Sequence, residues 1–358
     1  MSSDTCATVR DADPGEAADE KLIPPELVSS SWAAVFSLAV GVFGLLTAEY
    51  LPTSLLTPMA ADLGVSKALA GQAVTVTAAA AMISGLLTAS LTRLVPAALV
   101  PRAVSIIFSG IAVATIVAVP LGSYLGDLAG WRSTFLAAAA LGVVTLVFQF
   151  FALPRMAPQA SARLSTLWEV LRRPGFGVGI VGMLLVHIGH YALFTYIRPA
   201  LENMVKVDAD ALALLLFVFG VANLVGTLVS GWLLEISLRL TLVMTPALMG
   251  VAALGVALLP AGRAGYVALV VLWGLAFGGV SVAWSNWATR MVPDQAESAG
   301  GLVVVGVQSA IAGGAAAGGV MFGMGGIITV FTVSGAVLLA SALLIVLRVK
   351  APRHRVMN

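Results

Sequence analysis

Apolar runs close to bilayer length alternate with short polar breaks along nearly the whole chain. A hydrocarbon core about 30 Å thick needs ~20 apolar residues in a helix. The pattern meets that ten times: in the opening stretch from Ser31 to Met59, then at about 70–91, 104–125, 131–151, 175–197, 209–234, 240–259, 266–289, 300–322 and 327–347. The longest internal break, 153–174, carries Pro154, Pro158, Arg155, Arg163, Arg172 and Arg173. It divides the spans into a four-helix bundle over 32–152 and a six-helix bundle over 175–347. The expected fold is an all-α membrane protein of two helical bundles with ten transmembrane helices.

Composition agrees and excludes a soluble globular domain: 59% of the 358 residues are hydrophobic and 10% are charged, with a mean hydropathy of +1.02. Residues 1–31 hold seven acids against Arg10 and Lys21, together with Pro14, Pro24 and Pro25, and read as a disordered tail. Residues 348–358 form a second tail. The single cysteine, Cys6, has no intrachain partner. The net charge of +2 says little, but the placement of the lysines and arginines says more. An even number of spans puts both termini on one side, and fourteen of the nineteen Lys and Arg residues fall on that side. Positive charge stays in the cytoplasm, so both termini are expected there, in a multi-pass protein of the cell membrane.

Two parts of the chain match in register. Arg93-Leu94-Val95-Pro96 is echoed by Arg290-Met291-Val292-Pro293, and each is followed by small residues four apart: Gly110, Ala114, Ala118 and Gly122, then Gly306, Ala310, Gly314 and Gly318. Such spacing clears one helix face for close backbone approach, and recurrence in both halves marks a duplicated unit. The halves are unequal. From Gly175 to Arg290 is 115 residues, from Trp32 to Arg93 only 61, a difference of 54 that amounts to two helices with their loops. The first half reads as a six-span unit without its third and fourth members.

Within the apolar runs, Glu49 is the acid that needs explaining. A charged side chain near a span centre costs roughly 2.5–3.5 kcal/mol on insertion scales, so one that persists turns toward protein or a wet cavity, or else lies near enough to the surface to be solvated. Pro52 and Pro58 follow it and each removes a backbone donor, so the helix is expected to bend or end just beyond. His187, His190, Tyr191, Thr195, Tyr196 and Arg198 bring polar groups into the fifth span; they read as interhelical glue or as solute contacts, with Arg198 an anchor or gate residue before Pro199. Ser281, Trp284, Ser285, Asn286 and Trp287 combine stacking surface with hydrogen-bonding groups. Asn223 and Gln308 either line a path or join helices. The chain carries no nucleotide-binding loop, metalloprotease pair or nucleophile elbow, so neither an enzyme nor a cofactor or metal requirement is expected.

Several stretches resemble the major facilitator superfamily in its bacterial drug and sugar efflux branch of proton antiporters: TAEYLPTSLLTPMAADLGVS at 47–66, GIAVATIVAVPLGSYLGDLAGWRSTF at 110–135, GHYALFTYIRPALE at 189–202 and FGVANLVGTLVSGWLLE at 219–235. The second is similar to the fifth-helix antiporter motif, with Gly110, Pro120 and Gly122 in it. The resemblance implies proton-coupled export of a small organic solute, of the drug or sugar class, by alternating access. Glu49 would carry the proton, and His190, Tyr191, Trp284, Asn286, Asn223 and Gln308 would line the cavity. The expected partners are the solute, protons and the lipid bilayer, with no nucleic acid. The family usually has twelve spans, so the two missing here motivate an alternative: a shortened, transport-impaired paralogue acting as a membrane binding or scaffold protein.

Overall fold

A computed structural model describes residues 32–85, 106, 110–111, 113–153, 164–205 and 207–349. The first tail, the second tail from residue 350, the Arg93 to Pro96 half of the repeat, the end of the second and the start of the third expected spans, and residues 154–163 of the linker lie outside the described residues. Those that are described are almost entirely helical.

The opening helix α1, Trp32–Ser54, takes Pro52 within it, breaks at Leu55 and resumes as α2, Leu56–Leu63. Gly64 ends α2 in the left-handed region at φ 65°. Helix α3 runs over Lys67–Gly85. A π-turn at Ala114–Ala118 leads into α4, Val119–Ala129, and Gly130 at φ 83° turns the chain into α5, Trp131–Ala152. A short helix α6, Leu164–Leu171, precedes α7, Phe176–Thr195. After a helical turn at Ile197–Ala200 and a π-turn at Leu201–Val205 come α8, Ala209–Ile236, α9, Leu238–Leu258, and α10, Gly262–Met291. The last helical run, α11, covers Ala296–Arg348 but is broken by non-helical dihedrals at Gly325 and Gly326, the latter at φ 67°. At 1.5 Å per residue an unbroken run of this length would be about 80 Å long, far beyond one bilayer. The glycine pair folds it into two antiparallel arms.

Seven of the described helices are long and apolar enough to cross a membrane, with the 51-residue stretch Ser298–Arg348 counted once. On α5 the outward residues Leu136, Val143, Leu146, Phe150 and Phe151 are exposed, as a face turned to lipid requires. The first half packs α1 against α3, α4 and α5; the second packs α7 and α9 against α11, and α8 against α10. Two seams join the halves, α3 on α11 and α4 with its π-turn on α8.

The small-residue stripes gain a common meaning here. A side chain on Gly110 would strike the Ala39 carbonyl of α1, and one on Gly122 would meet Leu51 and Ser54 of the same helix. In the second half Gly306 faces Met183, while Gly314 and Gly318 approach the backbone of Ile188 and Ala192, all on α7. Each stripe therefore seats the first helix of its own half, as a duplicated unit would.

Candidate functional site

Helix α1 carries Glu49 into the interior. The residue is 3% exposed, and neither carboxylate oxygen has a hydrogen-bond partner among the described residues. The polar side chain set against it is Gln308 of α11, outside hydrogen-bonding geometry. Tyr50, the next residue, faces the other half. Its ring meets Phe194 of α7 edge-on with centroids 5.5 Å apart, and its hydroxyl lies against Tyr191 and Thr115. An acid, an amide and two phenols from three helices and both halves thus gather at one place.

Next to them, His190 is held in an aromatic box. Its ring stacks on Phe277 with centroids 3.4 Å apart and on Phe194 at 5.4 Å, and it meets Tyr191 edge-on at 4.8 Å. The Trp273 indole N–H donates to His190 Nδ1 at 3.1 Å. An indole nitrogen can only donate, so Nδ1 is the unprotonated nitrogen of this ring. In His187 the roles reverse: Nδ1 lies 2.8 Å from the Met183 carbonyl, which can only accept, and Nε2 has no partner among the described residues. The two histidines sit in one helix but do different things.

The other expected cavity residues are placed elsewhere. Trp284 packs edge-on against Trp287 at 5.3 Å and lies over Gly182 in the second half. Asn286 donates to the Val282 carbonyl of its own helix at 3.1 Å. Asn223 lies at the α8–α10 crossing, where its carbonyl accepts from Thr227 and crowds Gly278. Of the antiporter-motif residues, Gly110 and Gly122 lie against α1, while Pro120 is buried just after the π-turn, beside which Gly220 of α8 approaches the Thr115 carbonyl. Sequence reasoning singled out neither Tyr50 nor the box of Trp273 and Phe277. Trp273 and Phe277, four apart on one face of α10, were a readable signal; adjacency to Glu49 was the signal for Tyr50.

Two ion pairs sit at helix ends. Asp62 accepts from Trp131 Nε1 at 2.8 Å and from Arg132, contacts that hold its carboxyl below the usual range. Arg173 grips Asp294 with two bonds of 2.7 and 2.5 Å, which likewise holds Asp294 low.

Comparison with known proteins agrees with this architecture. The purine ribonucleoside efflux pump NepI of Salmonella typhimurium is 36% identical, over 92% of this chain and 97% of the relative, as is that of Salmonella typhi. The crystal structure of a D-xylose–proton symporter has the same fold, with a TM-score of 0.63 at 15% identity, covering 90% of this chain and 98% of that one. The family description Major Facilitator Superfamily matches residues 78–315 and 199–357. This chain is a multi-pass membrane protein and belongs to the Major Facilitator Superfamily of transporters.

Proposed function

We propose that this chain exports a small organic solute in exchange for protons, with Glu49 as the proton carrier and a purine ribonucleoside as the first solute to test. The observation that carries the reading is the buried carboxylate of Glu49, which has no hydrogen-bond partner among the described residues yet stands beside Gln308 and the Tyr50–Tyr191 contact between the halves. An acid without a partner gains or loses a proton without breaking a bond to a neighbour, so small movements of the two bundles can change its state. His190 and Tyr191 would offer the solute a stacking and hydrogen-bonding wall. Trp284, Asn286 and Asn223 would act at a distance through helix packing. The choice of solute is supported by the NepI relatives, which are purine ribonucleoside efflux pumps.

The same reading places ten spans in the membrane, with both termini in the cytoplasm. Counting the two arms of α11 separately and adding α3 and the helix that ends at Ala129 to the long helices brings the number to ten. A decisive assay loads inverted membrane vesicles with labelled purine ribonucleoside under an imposed pH gradient. Accumulation that depends on the gradient and is lost in Glu49→Gln supports the reading; equal accumulation with unchanged pH dependence in the variant sinks it.

One observation favours a second reading. The NepI alignment runs over 386 positions but takes in 92% of this chain, about 330 residues, so more than fifty positions face no residue here. A first half shorter by two helices would fit a binding or scaffold paralogue. Transport restored only when two helices are grafted between α3 and the helix ending at Ala129 would favour it.

A further inference from the structure

We propose that Arg198 is the clasp that closes the non-cytoplasmic end of the transporter, and that it docks on a backbone carbonyl which Pro58 leaves without its helical donor. The word non-cytoplasmic rests on the topology proposed above; the clasp itself rests on geometry. Arg198, only 5% exposed, belongs to the turn after α7 in the second half. Its Nη1 donates to the Ser54 carbonyl at 2.7 Å and to Ser123 Oγ at 3.3 Å, and its Nη2 to both oxygens of Asp127 at 2.9 and 3.2 Å. All three partners belong to the first half. Its Nε donates to Glu202 at 2.8 Å, and that carboxylate accepts from Thr57 at 2.7 Å with Lys67 Nζ at 3.9 Å. A single guanidinium therefore ties α1 and α4 to the second half, and through Glu202 reaches α2 and the start of α3.

The carbonyl is the specific part. In a helix the C=O of residue 54 accepts from the N–H of residue 58, and here residue 58 is proline, which has none. The neighbouring bonds Leu55 N to Leu51 O and Met59 N to Leu55 O are intact, at 2.9 and 3.0 Å. The Ser54 carbonyl is thus a buried acceptor without its ordinary i+4 donor, and a buried acceptor needs a donor. Arg198 supplies one across the seam. The planar fork is suited to holding carboxylate, hydroxyl and carbonyl together; a lysine at the same place offers a point charge and no fork. For solute to leave on this side, these bonds must break together, so the clasp stabilises the closed state against opening.

The test uses the full chain with Cys6→Ser and Tyr50→Cys, the latter a reporter lying at the seam against Phe194. Cells expressing it are treated with a membrane-impermeant thiol reagent from outside. Asp127→Asn, which removes one charge and keeps the shape, is expected to speed labelling about tenfold, the scale of losing one charged hydrogen-bonded partner. Arg198→Gln is expected to do so at least as strongly. Pro58→Ala changes no side chain of the clasp but returns an N–H to compete for the Ser54 carbonyl, and is expected to speed labelling about threefold. Unchanged rates in both Asp127→Asn and Pro58→Ala, with each variant monodisperse on gel filtration, would overturn the proposal. So would acceleration only when reagent is added from the cytoplasmic side. Because the readout is accessibility and not transport, these results stand apart from the fate of the proton-export reading.

Discussion

Glu49 and Arg198 are both ionisable and both at most 5% exposed, yet the structure treats them in opposite ways. Arg198 has its guanidinium occupied on every side: two carboxylates, a hydroxyl and a carbonyl. Glu49 has nothing bonded to either oxygen among the described residues. A buried charge with full partners is fixed in place, because removing any partner strands another. A buried acid without partners is fixed only by packing, and its protonation can answer to whatever reaches it. On the proposals above, one group holds the halves together and the other responds when they move.

That contrast can be broken or sharpened by substitution. Glu49→Gln keeps the volume and removes the titration, and is expected to lower gradient-driven solute movement by more than about tenfold while leaving thermal stability within about 1 kcal/mol, since no hydrogen bond is lost. Vesicle transport together with a melting curve checks both halves of that statement. Arg198→Gln should do the reverse to stability: it strands Asp127 and Glu202, with an expected loss of about 3 kcal/mol and a lower Tm. If the two variants destabilise equally, the distinction between a paired and an unpaired charge fails.

Neutral pairs should rank below these. Trp273→Phe leaves His190 Nδ1 without its donor, at an expected cost of about 1–3 kcal/mol, read as a drop in Tm with loss of the His190 ring environment in tryptophan and histidine spectra. The smallest effect belongs to the exposed pair of Arg173 and Asp294. Arg173 holds Asp294 below the usual carboxylate range, so the contribution of the pair is complete above the ordinary aspartate value near 3.9 and is lost as pH falls through the depressed folded value. Asp294→Asn should therefore change stability little at neutral pH, and should flatten its dependence on pH only in acid.

Much of this was legible in the chain, and the limits are physical. Period and length mark a helix because each residue's neighbours at three and four positions are fixed by the helix itself. For the same reason the stripes at Gly110 and Gly306 were readable as packing faces, although which helix they would seat was not. The polar residues of α7 were visible as a group. Their division into a histidine stacked in aromatics, another turned to its own backbone and an arginine reaching across the seam was decided by other helices. For Trp284 the sequence showed an aromatic with a donor group, while its place against Gly182 was decided by other helices.

By itself the sequence determined that the chain lives in a bilayer and that Glu49 is out of place in oil, because the transfer cost of side chains is local and additive along a helix. Only the tertiary structure decided that Arg198 meets residues 71 and 144 positions away, that Thr57 meets Glu202 across 145, and that the Ser54 carbonyl is satisfied from the other half. Such pairings depend on how whole helices settle against one another, and no periodicity within any one of them specifies which partner its polar residues will find.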